Sequence, residues 1–243
     1  MAPAVVSPPV ERPWTVGEFI LIWLGGLVGT LVFGIASLAI GDRDLLVLLG
    51  LAGQYVGNLG VFWWMVRSRP HQDIGLDVRG GDFAYIGIGI LFQVAVAVMF
   101  LPLSDLLFPD GRPPQEVADL ISDASSLVLK VGLVLAAVLL APVTEEILFR
   151  GVLFNALRRR GDRFAMVVSS LVFAAAHALG LDVERMWQSA LVVLPPIFAL
   201  GMILAWVTRR SGRLGPAIML HSGWNLLASL VLLIPSDLLQ RVG

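Results

Sequence analysis

The sequence predicts an all-α fold, a polytopic bundle of about seven or eight transmembrane helices. Of its 243 residues, 57% are hydrophobic and only 14% are charged, and the mean hydropathy is +0.85. A soluble domain carries about a quarter of charged residues, so we expect lipid to solvate most of this chain. The apolar residues also run in stretches of about 20, which is the length that a spanning helix needs.

These stretches follow one another along the whole chain. They cover residues 18–40, 45–66, 83–103, 125–157, 163–180, 187–207 and 214–234. The fourth is too long for one straight span and contains Pro142, which is predicted to kink or break its helix. A separate helix after Pro142 would give eight spans. The Pro-rich residues 1–14 are predicted to be a disordered tail, 15–124 to form transmembrane helices without a motif, and 125–236 to form the core that carries the chemistry.

The arginines are distributed unequally between the two sides of the predicted bundle. The N-terminus and every second loop hold 11 of them, whereas the other side holds 4. This asymmetry predicts a cytoplasmic N-terminus. Trp63 and Trp64, just before Arg67, are typical of an interfacial anchor on that side. We expect the cell membrane of a prokaryote, since the chain is short and shows no retention signal.

Composition also excludes several classes of function. The net charge of −1 argues against a nucleic-acid partner, which needs a basic face. The chain has no cysteine, which excludes disulfides, thiolate catalysis and cysteine-bound metal. His71, in an arginine-rich loop, is interpreted as a solvated residue. The pairs Gly25/Gly29 and Gly53/Gly57 predict close helix packing.

Ionisable side chains inside spans are costly and indicate function. Glu146 and Arg150 are four residues apart on one helical face, which predicts an ion pair. Glu145 is rotated by about 100° from Glu146 and is left available. His177 lies in the next span. The last span carries His221 and Asn225, again four residues apart. Each group alone also has a structural interpretation, as a salt bridge or an interhelical hydrogen bond.

The depths of these groups agree, which argues that they form one site. Counted from the nearest arginine of the N-terminal side at ~1.5 Å per residue, Glu145 lies ~20 Å deep and His177 ~21 Å. His221 and Asn225 lie ~12 and ~18 Å deep. Three helices are therefore predicted to bring their polar groups into one layer.

The carboxylate, imidazole and amide side chains of this layer allow two kinds of hydrolytic chemistry. Carboxylate, imidazole and amide groups suit zinc, which activates a bound water. Without metal, Glu145 and His177 would activate water directly, while His221 and Asn225 would stabilise an oxyanion. The residues leave both alternatives open.

Three motifs resemble those of the CPBP family, the CAAX-prenyl-protease and bacteriocin-processing membrane proteases, also called the Abi family. Glu145-Glu146-Ile-Leu-Phe-Arg150 resembles its Glu-Glu-x-x-x-Arg motif, Phe173 to His177 its Phe-x-x-x-His motif, and His221 to Asn225 its His-x-x-x-Asn motif. The resemblance covers about residues 140–230 and implies an intramembrane endopeptidase, either metal-dependent or glutamate-dependent. It implies cleavage near the cytoplasmic side of peptide or protein substrates, CAAX-type or peptide-processing, including lipidated ones, in contact with membrane lipid.

The resemblance also implies roles for the motif residues. Glu145 would be the water-activating base, assisted by Glu146, and Arg150 would support the site structurally. The implied cofactor is Zn²⁺ or another divalent metal, and its implied ligands are Glu145, His177, His221 and Asn225.

Two other classes of function remain as alternatives. The chain could be a non-catalytic immunity or scaffold protein of the same fold. A transporter or channel could use the buried carboxylates as an ion path, but transporters often show repeated halves, and here the polar groups all fall in the second half of the chain.

Overall fold

A computed structural model describes residues 12–38, 41–68, 71–109, 116–124 and 126–233. Within these ranges the secondary structure is helical, with no strand, and seven helices are long and apolar enough to cross a membrane. The prediction of an all-α polytopic bundle is confirmed. Residues 1–11 of the predicted disordered tail lie outside the described ranges.

The first half of the chain supplies three of these spans. They are α1 (Val16–Leu38), α2 (Arg43–Ser68) and α3 (Ala84–Leu107), the last preceded by a 3₁₀ turn at Gly80–Phe83. A short helix, α4 (Glu116–Asp123), leads to the second half. The last three spans are α8 (Asp162–His177), α9 (Met186–Ser211) and α10 (Gly215–Leu232).

The fourth span is one continuous helical segment, Leu127–Arg160, and Pro142 does not break it. It comprises α5 (Leu127–Leu135), a π-helical stretch (Ala136–Leu140), α6 (Ala141–Glu146), a second π-helical stretch (Ile147–Phe154) and α7 (Asn155–Leu157), and it closes in a 3₁₀ turn. The wider π turn before Pro142 accommodates the proline ring, so the alternative of eight spans is not observed in the described ranges.

Glycines determine the packing of α1 against α2. A Cβ added at Gly29 would collide with the carbonyl of Gly53, and one added at Gly57 would collide with the carbonyl of Gly25. The predicted close packing of these two glycine pairs is confirmed.

A second glycine contact joins the two halves of the chain. A Cβ at Gly89 of α3 would meet the carbonyl of Leu220, and a Cβ at Gly223 of α10 would meet the carbonyl of Ile86. We call this contact the α3–α10 seam. It places α10, which carries His221 and Asn225, directly against the backbone of α3.

Hydrogen bonds between loops confirm how the chain alternates between the two sides of the bundle. The backbone amide of Leu214 donates to the carbonyl of Gly75, and the Arg209 guanidinium donates to Asp162. These loops all belong to the side that holds the N-terminus, which we call the N-terminal side. On the opposite side, Arg185 donates to the carbonyl of Leu107.

Two predictions for the N-terminal side need correction, one for His71 and one for the end of the disordered tail. His71 is not solvated: its side chain is 2% exposed, stacks on Trp14 and lies 3.1 Å from a Glu18 oxygen. Trp14 itself is buried and donates from Nε1 to the carbonyl of Gln72. The end of the predicted tail is therefore anchored, because an indole that buries its ring and finds an acceptor is favoured over an exposed one.

Candidate active site

A buried ion pair forms the base of the site. The Arg150 Nη1 atom lies 2.9 Å from Glu146 Oε1, and neither side chain is accessible to solvent. Arg150 Nη2 donates to the carbonyl of Gly201 at 3.1 Å, and the guanidinium lies over the ring of Phe173. The predicted pairing of Glu146 with Arg150 is present. Because the pair also binds α9 and contacts α8, it links three of the spans.

His221 lies between the two carboxylates. Its Nδ1 is 3.0 Å from Glu146 Oε1, and its Nε2 is 3.8 Å from Glu145 Oε2. Glu146 is held as an acceptor by Arg150, so we assign the Nδ1 proton of His221 to the hydrogen bond with Glu146. That tautomer leaves the Nε2 lone pair directed towards Glu145. The arrangement matches the carboxylate–histidine pairs that orient reactive imidazoles.

The two glutamates have different environments. The Glu146 side chain is fully buried, whereas that of Glu145 is 27% exposed. One oxygen of each, Oε2 in both cases, is buried and has no hydrogen-bond partner among the described residues. A buried carboxylate oxygen normally has a partner. Each of these oxygens could therefore accept a hydrogen bond from a water or another polar group.

His177 reaches the same region through an aromatic ring. Its Nδ1 lies 2.8 Å from the carbonyl of Phe173, so Nδ1 carries the proton and Nε2 is the free nitrogen. The ring of Phe173 packs edge-on against both His177 and His221, with centroids 4.8 and 5.7 Å away. The two imidazoles thus flank one phenylalanine.

Asn225 makes a contact that its motif does not predict. Its Nδ2 donates to the carbonyl of Ala137 at 2.7 Å. In the π-helical stretch the backbone amide of Ala141 donates to the carbonyl of Ala136, five residues earlier. The carbonyl of Ala137 would therefore need the backbone amide of residue 142 as its donor. Pro142 has no N–H. Asn225 therefore supplies the hydrogen bond that the proline cannot make.

Glu145 and His221 suit a metal ion, but a complete ligand set is not assembled. The 3.8 Å between His221 Nε2 and Glu145 Oε2 is compatible with two ligands of one zinc, each about 2.0–2.2 Å from it. Across the described ranges, no three His, Asp or Glu side chains lie close enough to hold an ion together. The amide nitrogen of Asn225 is committed to Ala137. The four-ligand set stays a prediction.

One further side chain near the site was not singled out from the sequence. Tyr55, on α2, lies near Glu145, and α2 packs against α6, which carries Glu145. Its signal in the sequence is weak, because a tyrosine in an apolar span is also typical of helix packing. It shows that the first half of the chain contributes to the surroundings of Glu145.

The fold and the site define a polytopic helical membrane protein with a buried carboxylate–histidine centre. The family model described as type II CAAX prenyl endopeptidase Rce1-like matches residues 127–227, which contain all three motifs. This part of the chain is therefore similar to membrane proteases of that family, which the three motifs also resemble.

Two similar bacterial proteins extend this comparison. An Escherichia coli protein described as an "Uncharacterized 24.3 kDa protein" is 29% identical over 62% of this chain and 61% of its own length. A Bacillus subtilis (strain 168) protein named "Putative membrane peptidase YdiL" is 24% identical over 84% of this chain and 80% of its own. The chain thus spans less than two thirds of the E. coli relative. No solved structure matches significantly.

Proposed function

We propose that this chain is an intramembrane endopeptidase in which Glu145 activates the attacking water. The observation that carries the proposal is the position of His221, held by Glu146 on one side and facing Glu145 on the other. The match of residues 127–227 to a model of membrane endopeptidases supports the same conclusion. The difference in burial between the glutamates supports a division of labour, in which Glu146 orients and Glu145 reacts.

The gap between His221 and Glu145 suits one water molecule. Nε2 and the carboxylate oxygen are both acceptors and lie 3.8 Å apart. A water about 2.8 Å from each could donate one hydrogen to each. Both of its hydrogens would then be held, and an oxygen lone pair would remain for attack on a peptide carbonyl.

Hydrolysis would then proceed in two proton transfers. As the water oxygen bonds to the carbonyl carbon, Glu145 accepts its proton. When the carbon–nitrogen bond breaks, Glu145 returns that proton to the leaving amine. Such acid–base catalysis contributes about 10²–10⁴-fold to the rate. A divalent ion bound at Glu145 and His221 would add polarisation of the water and the carbonyl. We propose that His177 completes the site from α8 with its free Nε2.

We propose that the substrates are peptides and proteins that reach the membrane. Prenylated CAAX-type peptides are the first class to test. We propose that cleavage occurs near the cytoplasmic face, because the arginine asymmetry places the N-terminal side in the cytoplasm and His221 lies ~12 Å from the arginines of that side. The alternative within this fold is a non-catalytic immunity or scaffold protein.

The decisive experiment compares Glu145→Gln with Glu184→Gln in proteoliposomes. Glu184 is exposed in the loop before α9, so the control makes the same chemical change away from the site. We expect Glu145→Gln to lower the cleavage of a fluorogenic CAAX peptide, prenylated or not, at least 100-fold. The thermal stability should stay close to that of the wild type.

Full activity in a folded Glu145→Gln protein would contradict the proposal. If the wild type cleaves neither form of the peptide nor a panel of unmodified membrane peptides, the non-catalytic alternative is favoured instead.

A further inference from the structure

A basic cavity lies at the N-terminal side of the bundle, away from the active site. Its volume is about 350 Å³. It is lined by Arg158, Asp162, Trp206, Arg209 and Arg210. The lining residues come from the end of the fourth span, the start of α8 and the end of α9, so three helix ends meet at one level.

The carboxylate of Asp162 forms ion pairs with two of these arginines. Arg158 Nε lies 3.1 Å from Asp162 Oδ1, and Arg209 Nε lies 2.7 Å from Asp162 Oδ2. Hydrogen bonds within the described part of the chain use only the Nε atoms of these two arginines. Their terminal nitrogens remain as donors. Three guanidinium groups and one carboxylate leave the cavity with an excess of positive charge.

The aromatic residue of the cavity places it at the membrane boundary. Trp206 is 46% exposed, and the guanidinium of Arg210 lies 5.7 Å from its ring. Exposed tryptophans at span ends are enriched at the level of lipid headgroups. Arg210 has no ion pair with any described residue, so none of these residues neutralises its charge.

We propose that this cavity binds the phosphate headgroup of an anionic phospholipid. Guanidinium groups match phosphate oxygens in geometry and charge. Basic pockets between transmembrane helices bind such headgroups. Lipid is favoured over free phosphate as the source because the cavity opens beside an exposed indole at the membrane surface.

The test measures how added lipid raises the unfolding temperature of the purified full-length protein. Detergent-solubilised protein is titrated with dioleoylphosphatidylglycerol or, at equal concentration, with dioleoylphosphatidylcholine. We expect the anionic lipid to stabilise the wild type by mass action, and the zwitterionic lipid to stabilise it less.

Arg210→Gln is the informative variant, because it removes a cavity charge without breaking an ion pair. Its apparent affinity for phosphatidylglycerol should fall about five-fold, because one basic residue near anionic lipid contributes about 1 kcal/mol to binding. The double variant Arg209→Gln/Arg210→Gln should lose about 25-fold. The matched control is Arg67→Gln, since Arg67 also stacks on an exposed tryptophan, Trp63, but lies on α2.

Three results would overturn the proposal. Phosphatidylglycerol could stabilise Arg210→Gln as strongly as the wild type. Arg67→Gln could lose as much affinity as Arg210→Gln. Millimolar inorganic phosphate, added with phosphatidylcholine, could reproduce the full stabilisation, which would identify free phosphate as the ligand instead.

Discussion

Arg150 has no access to solvent, and among the described residues its ion pair is with Glu146, which also contacts His221. Removing one partner of a buried pair leaves the other charge uncompensated, which costs about 3–5 kcal/mol. Replacing both partners by neutral groups avoids that cost. Arg150 is thus expected to act on stability and on the orientation of His221 rather than on substrate.

We therefore predict that Arg150→Met destabilises the protein strongly and that Glu146→Gln/Arg150→Met is more stable than this single variant. The measurement is thermal or denaturant unfolding in detergent. Equal stability of the single and double variants would show that Glu146 does not depend on Arg150 for compensation.

A second prediction at this scale concerns Asn225 and Pro142. Asn225→Leu should cost about 1–3 kcal/mol, because the Ala137 carbonyl loses its donor. In a Pro142→Ala background the cost should be smaller, since alanine supplies a backbone N–H to that carbonyl. A double-mutant cycle measures the coupling. An unchanged cost in the two backgrounds would mean that Asn225 does not compensate for the proline.

At the scale of elements, the contact of α1 with α2 has no room for side chains at its glycines. We predict that Gly29→Ala destabilises the protein by about 1–3 kcal/mol, the usual cost of overpacking. Gly34→Ala on the same helix is the control, because a Cβ there meets nothing within 4 Å. If both variants unfold alike, the glycine contact does not limit stability.

The elements also show what could be predicted from the sequence. Glu146 and Arg150 pair as expected, because a four-residue spacing places two side chains on one face of one helix. The contact of His221 with Glu146 was not predicted, since the two are 75 residues apart. The depth of a residue along its helix follows from counting residues. The neighbour that its side chain faces depends on how the helix is rotated about its axis, which is determined by packing against other helices. The Nδ1 atom of His177 bonds the carbonyl of Phe173 on its own helix, and the predicted sharing of a water with Glu145 through Nε2 stays a prediction.

At the scale of the whole molecule, the absence of cysteine gives a direct test of orientation. Arg159→Cys and Val183→Cys would each create one thiol, at exposed positions on the N-terminal and opposite sides. We predict that a membrane-impermeant maleimide labels only Val183→Cys in intact cells, and labels both after lysis. Labelling of Arg159→Cys alone would place the N-terminal side outside the cell.

The α3–α10 seam has a consequence for how the chain can be divided. The region shared with the family model begins at residue 127, after α3, yet Gly223 within it has its backbone neighbour on α3. A fragment limited to that region would expose an uncovered groove along the helix that carries His221. Such a fragment should regain its fold only when α1–α3 are supplied as a separate polypeptide, so that the two pieces complement each other.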